Sequence, residues 1–341
     1  MTIKQIAEKA GVSVASVSNV INGNFHKVSA QTRERIEKII AESDYTPNAM
    51  ARSLATQQSN IISLVIPNIG DYFTFNANPY YADLIAEIEK YVRGNNYCLM
   101  IRCIDRCRDI VPLLSSWNVD GALFAGVSAE EIREVRRNLR CPAVFIDSYC
   151  EDDGVACVGI DDYRGGYLSA QHLLNCGHRK IAFAAPRFGT EGVIWERFCG
   201  FRDACAEQGV TLEKDDIFEV DAIESNSIIA GNDIALSPKR FTAVGVMSDV
   251  SACGIVSGLR QCGRRVPEDI SVIGFDNLSI CNFCTPKLTT ISQDIEMKAH
   301  KAGDLLMRMI AEKKEITVCA KIPVKLKERD SVVFNAPQTA V

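Results

Sequence analysis

Residues 2–23 read TIKQIAEKAGVSVASVSNVING. Thr2 and Gln5 have the spacing of a capping box, in which each side chain satisfies a free backbone amide near the start of a helix. The apolar residues that follow recur at helical spacing, and Gly11 then favours a tight turn. Ser13 is suited to cap a second helix. Two short helices joined by a glycine-containing turn predict a helix-turn-helix.

The second helix of such a motif enters the major groove of DNA, where its first residues meet base edges. Val14 and Ala15 suit thymine methyl groups, whereas Asn19 pairs with adenine or contacts phosphate. The pattern alone also fits an ordinary helical hairpin whose polar face meets solvent. Ser29 predicts the cap of a third helix with Ile36 on its apolar face, so that a head of about 45 residues closes a small core.

A second informative stretch, residues 45–54, reads YTPNAMARSL. Thr46 and Pro47 predict a helix start, since threonine suits the cap and proline the first helical position. The predicted helix ends near Thr56 and is too short to be stable alone, because isolated helices below about 12 residues are marginal in water. Paired with a second copy, it would order and push an apolar wedge into a minor groove. The alternative is a helical linker with no role in DNA binding.

From Asn60 onward, apolar strands alternate with helical segments, in two sets. The first set of predicted strands is Ile61–Ile66, Leu99–Ile101, Ala122–Phe124 and Val144–Ile146. The second set is Cys157–Ile160, Ile181–Ala184, Ala243–Met247 and Ser271–Phe275. Repeated βα units predict parallel sheets covered on both faces. The predicted fold is therefore an α/β body of two parallel-sheet lobes behind an all-α head, with a ligand cleft between the lobes.

Composition and charge narrow the class of protein further. Residues 1–58 hold seven basic and five acidic side chains, a net charge of +2, which leaves −7 for the rest of the net −5 chain. A slightly basic head on an acidic body fits one DNA-facing end. The sequence has neither a run of about 18 apolar residues nor an apolar secretory core, so we expect no membrane span and a cytoplasmic location.

The fourteen cysteines lie mostly as single residues in apolar segments, which is typical of reduced, buried thiols, and we expect no disulfides. The Cys281–Cys284 C-x-x-C motif lacks a second pair at zinc spacing, so packing or loop thiols are favoured over a metal or redox site. The chain also lacks the phosphate loop, the dinucleotide fingerprint and H-E-x-x-H, and its four histidines form no nucleophile constellation. We therefore expect no catalytic residues, no metal and no cofactor.

Several motifs together point to a known family. In the head of this chain they lie at Thr2–Ala7, Ala10–Ser18, Asn22-Gly23, Val28-Ser29, Thr32-Arg33 and Tyr45–Leu54. In the body they lie at Val158–Asp162, Gly177–Phe183, Val266–Asp276 and Pro286–Ile291. This combination resembles the lactose/galactose-repressor (LacI/GalR) family over nearly the whole chain. The resemblance implies a ligand-responsive, sequence-specific regulator, most simply a repressor, that binds operator DNA as a homodimer. Since the chain stops soon after Phe334 without an added assembly helix, we expect a dimer and not a tetramer.

The resemblance also assigns the DNA contacts. It implies base contacts from Val14, Ala15 and Asn19, phosphate contacts from Thr2, Ser13, Ser18, Asn22 and Thr32, and an operator wedge at Leu54; Ser29 and Asn48 complete the expected set. One position departs from the family pattern. Relatives usually carry arginine where this chain has Asn19, and asparagine prefers adenine where arginine prefers guanine. We therefore expect a half-site that differs from the family's common one at that base pair.

For the body, the resemblance implies a fold like that of periplasmic sugar-binding proteins, with three chain crossings between lobes. We place the head at 1–45, the hinge helix and linker at 46–59 and the body at 60–341. Lobe 1 is expected at about 60–158 plus 292–319, and lobe 2 at about 159–291 plus 320–335. The expected effector-binding residues are Tyr80, Asp147, Arg197, Ser248 and Asp276.

The chemistry of these five side chains fits a sugar-like effector. Carboxylates accept from adjacent hydroxyls, arginine donates as a rigid fork, and an aromatic ring covers an apolar sugar face. Ser248 stands where many relatives have asparagine. Asp71–Ala77 looks inserted, as a lid or as a surface elaboration. Two other functions remain possible at this point: a sugar-processing enzyme or transport receptor with an accessory head, and an architectural DNA binder with no ligand.

Overall fold

The computed structural model describes residues 1–43, 45, 58–68, 79–150 and 152–335. The chain divides into two units, residues 1–59 and residues 60–341. Four sequence-based expectations concern the hinge helix predicted from Pro47 to near Thr56, Asn48, Leu54 and the Asp71–Ala77 segment. These positions lie outside the described residues, so they stay predictions.

The head contains α1 (Ile3–Ala10), α2 (Val14–Ile21) and α3 (Ala30–Ala41). The predicted capping box is confirmed: the Gln5 amide donates to the Thr2 hydroxyl at 3.3 Å, and the Thr2 amide donates to the Gln5 side chain at 2.8 Å. Gly11 ends α1 in the left-handed region with φ 62°, where glycine has no steric penalty. Ser13 and Ser29 cap α2 and α3 as predicted.

The three helices enclose a small apolar core. Ile6, Val17 and Ile36 are fully buried, and Val20 is nearly so. They come from all three helices, so each helix depends on the other two to bury its apolar face. The helix-turn-helix predicted from residues 2–23 is therefore confirmed.

The body contains two six-stranded sheets. The sheet of lobe 1 has the order β2-β1-β3-β4-β5-β11, and its pairs are parallel. Its strands are β1 (Ile61–Pro67), β2 (Cys98–Ile104), β3 (Gly121–Ala125), β4 (Ala143–Ile146), β5 (Ala156–Ile160) and β11 (Val318–Ile322). Its helices are α4 (Pro79–Gly94), α5 (Val111–Ser116), α6 (Ala129–Arg136) and α11 (Ile295–Glu312).

The sheet of lobe 2 has the order β7-β6-β8-β9-β10-β12, and only its β10–β12 pair is antiparallel among the described strands. Its strands are β6 (Ile181–Ala185), β7 (Ile217–Glu219), β8 (Ala243–Val246), β9 (Ser271–Asp276), β10 (Thr289–Ser292) and β12 (Lys325–Lys327). Its helices are α7 (Asp162–Asn175), α8 (Val193–Glu207), α9 (Glu224–Leu236) and α10 (Asp249–Gln261). Every residue of β6, β8 and β9 is buried, as expected for strands covered on both faces.

The sheet membership corrects one expectation. We predicted that the strand near Cys157–Ile160 begins the second lobe, but β5 pairs with β4 and β11 in the first sheet. A sequence pattern identifies a strand without its neighbours, because pairing is set by contacts distant in the chain. The chain crosses between lobes three times: after β5, between β10 and α11, and between β11 and β12.

Two cysteines that stand apart in the sequence are neighbours in the fold. The sulfur atoms of Cys253 on α10 and Cys284 are in contact, and the expectation of no disulfides stays a prediction. The two residues are 31 positions apart, and only the fold brings them together. Cys157, Cys205 and Cys281 are fully buried in apolar surroundings, in agreement with the packing role expected of most thiols.

Among the described residues, no helix has both the length and the apolar character that a membrane span requires.

Candidate functional site

The polar residues at the helix starts of the head are held by local hydrogen bonds. The Ser13 hydroxyl accepts from the Ser16 amide at 3.1 Å, and the Ser29 hydroxyl accepts from the Thr32 amide at 3.3 Å. The Ser29 hydroxyl also donates to the Thr32 hydroxyl at 2.9 Å. Free amides at helix starts attract phosphate, so these caps fix two N-termini in a form suited to a DNA backbone.

The expected DNA contacts of the head differ in exposure. Thr2, Ser13, Val14, Ala15, Asn22 and Ser29 are exposed, and Ser18, Asn19 and Thr32 are half-buried. Val14 is 42% exposed, although it is apolar and lies next to a core that buries other valines. The Asn22 side chain donates to the Ser18 hydroxyl at 3.2 Å. A recognition helix that presents an apolar residue and several small polar ones matches base and phosphate contacts.

In the body, the two expected cleft aspartates lie at strand ends. Asp147 directly follows β4 in lobe 1, and Asp276 is the last residue of β9 in lobe 2. Their φ angles are 51° and 115°. Backbone conformations of this kind are costly for residues other than glycine, and they concentrate at functional sites. Ligands of open α/β sheets bind beyond the carboxyl ends of the strands, which is where both carboxylates lie.

Arg197 on α8 is the main cation that lobe 2 contributes. Its Nε donates to Asp162 at 2.7 Å, and its Nη1 donates to the Met247 carbonyl at 3.0 Å and lies 4.0 Å from an Asp276 oxygen. Its guanidinium carbon lies 3.7 Å from the centre of the Phe275 ring, a cation–π geometry. Although burial disfavours the charged form, the carboxylates of Asp162 and Asp276 hold the pKa of Arg197 above its ordinary value.

Two glycines position the helix that carries Arg197. A Cβ built on Gly166 of α7 would overlap the Arg197 carbonyl, and one built on Gly200 of α8 would overlap the Tyr163 carbonyl. The absence of side chains at both positions lets α7 and α8 approach closely. The depth of Arg197 in the cleft therefore depends on two small residues.

Tyr149, which follows β4 in lobe 1, and Asp162, at the start of α7 in lobe 2, extend the site. The Tyr149 hydroxyl contacts the Asp162 carboxylate and also donates to the Ile160 carbonyl at 3.1 Å. Burial raises the pKa of the Asp162 carboxyl, an effect that Arg197 opposes. Burial and the neighbouring carboxylate also raise the pKa of Tyr149 far above its ordinary value, so Tyr149 is a neutral hydrogen-bond donor.

The centre of the cleft contains a lysine that sequence reasoning missed. Lys298 of α11 has a side chain only 1% exposed. Its ammonium donates to Asp147 at 2.7 Å, to the Tyr80 hydroxyl at 3.0 Å and to the Gln293 side-chain oxygen at 2.5 Å. The Tyr80 hydroxyl contacts the other oxygen of Asp147. Burial, with help from Asp147, raises the pKa of Tyr80.

Gln293 links the two halves of this polar network. It lies on the crossing segment between β10 and α11, and its side-chain amide donates to Asp276 at 2.6 Å. The contacts run from Asp147 and Lys298 through Gln293 to Asp276 and Arg197. Both lobes and one crossing segment thus contribute to one buried network. A change in the angle between the lobes must change these contacts.

Burial perturbs the acids on the lobe 2 side. It raises the pKa of Asp276 to about 8, against the opposing charge of Arg197. It also raises the pKa of Asp249 to about 6, although Asp249 accepts hydrogen bonds from the Thr290 hydroxyl at 2.6 Å and the Leu278 amide at 2.8 Å. Perturbed acids of this kind, in a cleft and next to a charged partner, are typical of functional sites.

The five expected effector-binding residues are placed unequally. Tyr80, Asp147, Arg197 and Asp276 all belong to the network, whereas Ser248 lies half-buried at the start of α10. Ser248 directly follows Met247, whose carbonyl accepts from Arg197. Among the described residues, its side chain is not joined to the network by a hydrogen bond. Its role in effector binding stays a prediction.

Three of the missed residues carried a detectable signal. Lys298 falls on the apolar stripe of α11, formed by Ala299, Ala302 and Leu306, where a charge is unexpected. Asp162 and Gln293 each come just after a buried strand. Polar residues in such positions collect at the edge where parallel strands end. Tyr149 carried no such signal, because its role depends on the distant partner that it meets.

A cavity of about 410 Å³ opens beside the network. Asp276 and Gln293 line its inner end, while the exposed Asp294 and Glu296 lie on its rim together with Lys325. This volume is within the usual range for small-molecule sites. Of the residues that the sequence assigns to ligand binding, Asp276 lines this cavity, and Gln293 connects the cavity to Lys298.

Comparison with known proteins gives matches for both units. The model of bacterial regulatory proteins, lacI family, matches residues 2–48, and that of the periplasmic binding protein-like domain matches residues 170–332. The transcriptional repressor PurR of Vibrio vulnificus (strain CMCP6) is 32% identical, over 97% of this chain and 98% of that protein. The transcriptional regulator DegA of Bacillus subtilis (strain 168) is 34% identical, over 88% and 89%.

Solved structures agree with these relatives. The lac repressor dimer bound to operator and the anti-inducer ONPF is 25% identical, with a TM-score of 0.86 over 98% of this chain and 99% of that one. The complex of the transcriptional regulator CelR with cellobiose is also 25% identical, with a TM-score of 0.72 over 97% and 99%.

A helix-turn-helix head followed by a two-lobed α/β body with a buried polar cleft defines a ligand-responsive, DNA-binding regulator. The chain belongs to the LacI family of bacterial transcriptional regulators. Its relatives are transcriptional repressors, and the protein is a regulator of transcription rather than an enzyme.

Proposed function

We propose that the protein represses transcription by binding a pseudo-palindromic operator as a homodimer, and that a small hydroxylated ligand bound between the lobes changes its affinity for that operator. The DNA contacts are those expected of α2 and the neighbouring helix starts, above all Val14, Ala15 and Asn19. The solved lac repressor, which is a dimer on its operator, supports this arrangement.

The observation that carries the proposal is the buried network between the lobes. Arg197 and Asp276 from lobe 2 meet Gln293 on a crossing segment, and Gln293 meets Lys298 from lobe 1. A ligand that binds these groups prefers one arrangement of the lobes over another. A preference of 1–3 kcal/mol changes the affinity for DNA by about 5–150-fold. This coupling needs no contact between ligand and head.

The chemistry of the network favours a sugar or sugar derivative. Asp147 and Asp276 accept hydrogen bonds from hydroxyls, Arg197 donates in a fixed plane, and Tyr80 offers an aromatic ring. CelR, solved with cellobiose, supports this class of ligand. The same groups argue against an architectural DNA binder, which has no need of convergent buried charges.

Two measurements test the proposal in sequence. Selection from random DNA identifies the operator, and thermal unfolding against sugars, sugar acids, sugar phosphates and nucleobases identifies ligands. A ligand at 100 times its dissociation constant adds about 2.7 kcal/mol of stability. We expect the ligand to change operator affinity in the wild type and not in Arg197→Ala. Arg202→Ala, on the exposed face of the same helix, is the control and should respond like the wild type. A ligand that stabilises the protein without changing operator affinity would contradict the proposal.

A further inference from the structure

The two cleft carboxylates that a neutral sugar would bind already contact the protein's own side chains. The Lys298 ammonium donates to one oxygen of Asp147, and the Tyr80 hydroxyl contacts the other. The Gln293 side-chain amide donates to one oxygen of Asp276. A neutral polyol that binds Asp147 therefore uses the remaining lone pairs of this carboxylate or competes for it with Lys298 and Tyr80.

Water cannot replace Asp147 as the partner of Lys298, because Lys298 has no route to solvent. Its residue is fully buried, and α11 packs on the sheet and on α4. An ammonium taken out of water needs a charged or strongly polar partner, because a buried charge without one is heavily disfavoured. Displacement by a neutral molecule would leave Lys298 with only the Tyr80 hydroxyl and the Gln293 oxygen. A neutral ligand that separates Lys298 from Asp147 therefore binds at a penalty.

An acidic ligand lowers this penalty, because its carboxylate or phosphate gives Lys298 a charged partner. The ammonium then lies between this group and Asp147, so Asp147 keeps its counter-ion while the hydroxyls of the ligand donate to it. Arg197 supports the same ligand from lobe 2, since only two of its five N–H donors are used in hydrogen bonds to described residues. The acidic side chains around the cavity, Asp294 and Glu296, are exposed at its rim, and Glu296 is paired with Lys90.

We propose that Lys298 determines effector specificity, and that the effector is a hydroxylated acid, carrying a carboxylate or phosphate that pairs with Lys298, and not a neutral sugar. This inference rests on the proposed function, because it concerns the ligand of the same cleft. Lys298 acts here as an internal counter-ion, which holds the network together without ligand and receives the acidic group when the ligand binds.

Matched compounds test the proposal. We would measure thermal unfolding and operator binding with glucose, glucuronate, gluconate and glucose 6-phosphate, and with galactose, galacturonate and galactose 6-phosphate. We expect at least one acid to bind the wild type ten-fold or more tightly than its neutral counterpart. A response to the sugar carboxylates alone assigns a carboxylate ligand, and a response to the sugar phosphates alone assigns a phosphate.

Variants of α11 separate the role of Lys298 from general effects on folding. Lys298→Met should reduce the affinity for the acid ten-fold or more, and Lys298→Arg should retain the preference for acids. Lys301→Met, at an exposed position of the same helix, serves as the matched control and should respond like the wild type. Retained operator binding shows that each variant is folded.

The outcomes also separate this inference from the proposed function. A neutral sugar that binds as tightly as its acid and changes operator affinity through Arg197 would overturn the acid proposal and leave the proposed function intact. Acid binding unchanged in Lys298→Met would overturn it as well. If none of these acids binds the wild type at 10 mM, the proposal is wrong for these ligands and is abandoned; if operator affinity also responds to no ligand of any class, the proposed function fails with it.

Discussion

Arg197 and Asp162 form a buried ion pair: Nε of the arginine lies 2.7 Å from the carboxylate, and the two side chains are 10% and 0% exposed. Asp162 starts α7, just after the first crossing, and Arg197 lies on α8. The pair joins two helices that already approach closely at glycines. Since neither charge reaches water, each depends on the other for its compensation.

We expect Arg197→Ala to lower the free energy of unfolding by about 3–5 kcal/mol, because it leaves the Asp162 charge buried without its partner. Adding Asp162→Asn should restore part of this loss, since no unpaired carboxylate then remains. Chemical denaturation of the single and double variants measures both effects. The exposed pair Arg202–Asp203 gives the control, and Arg202→Ala should cost at most about 1 kcal/mol. A double variant as unstable as the sum of the singles would contradict this account.

Gly166 gives a second prediction about the position of Arg197. Gly166→Ala places a methyl group against the backbone of α8, so the two helices must separate. We expect a loss of stability, together with a weaker ligand response, because Arg197 moves away from the cleft. Gly189→Ala is the matched control, since a Cβ there meets nothing within 4 Å. Denaturation and ligand titration of both variants test the prediction, and equal behaviour of the two would contradict it.

The raised pKa values of the buried acids predict how stability depends on pH. The pKa of Asp276 is raised by burial to about 8, so between about pH 4 and pH 8 the folded state holds a proton that the unfolded state has lost. Its contribution to stability is complete below the pKa that Asp276 has in the unfolded state, and it is lost as the pH rises through the pKa of the folded state. Asp276→Asn should flatten this fall, and Asp249 accounts for part of what remains.

Asp269 provides a control of opposite sign for this pH dependence. A hydrogen bond and ion pair with Arg265 lower its pKa to about 2. Its contribution is present above the unfolded pKa and is lost as the pH falls. Asp269→Asn should therefore affect only the acid side of the profile. Denaturation from pH 3 to pH 9 tests both variants, and a fall towards pH 8 that is unchanged in Asp276→Asn would disprove the assignment.

The base preference of the head can be tested at Asn19. This residue is half-buried on α2, and we expect it to favour adenine where relatives with arginine favour guanine. Binding-site selection should return a half-site that is changed at one base pair. Asn19→Arg should shift the preference to guanine by about 1–3 kcal/mol. Selection of the family's usual half-site by the wild type would show that Asn19 does not read that base.

The sequence predicted best what depends on near neighbours. The Thr2–Gln5 capping box, the Gly11 turn and the alternation of strands and helices follow from a few adjacent residues, and the structure confirms them. The sheet membership of β5 was predicted wrongly, because hydrogen bonding to β4 and β11 joins residues far apart in the chain.

The candidate site shows the same limit of sequence reasoning. Arg197 and Asp276 were expected together and lie within 4.0 Å of each other. Tyr149 was missed because its partner Asp162 is more than ten residues away, and Lys298, although its charge on an apolar stripe was a signal, has its ion-pair partner Asp147 in a distant part of the chain. The Cys253–Cys284 contact was missed for the same reason. Residue type and spacing indicate which chemical groups a chain offers, whereas tertiary contacts decide which of these groups come together in one site.

The most direct test of the central claim is the reciprocity of ligand and operator binding. With the ligand found by thermal screening and the operator found by selection, each dissociation constant is measured with and without the other partner. If the cleft controls the head, the ligand changes operator affinity by at least about 5-fold, and the operator changes ligand affinity by the same factor. Arg197→Ala should abolish both changes. A ligand that binds the body equally well with and without operator would contradict the account.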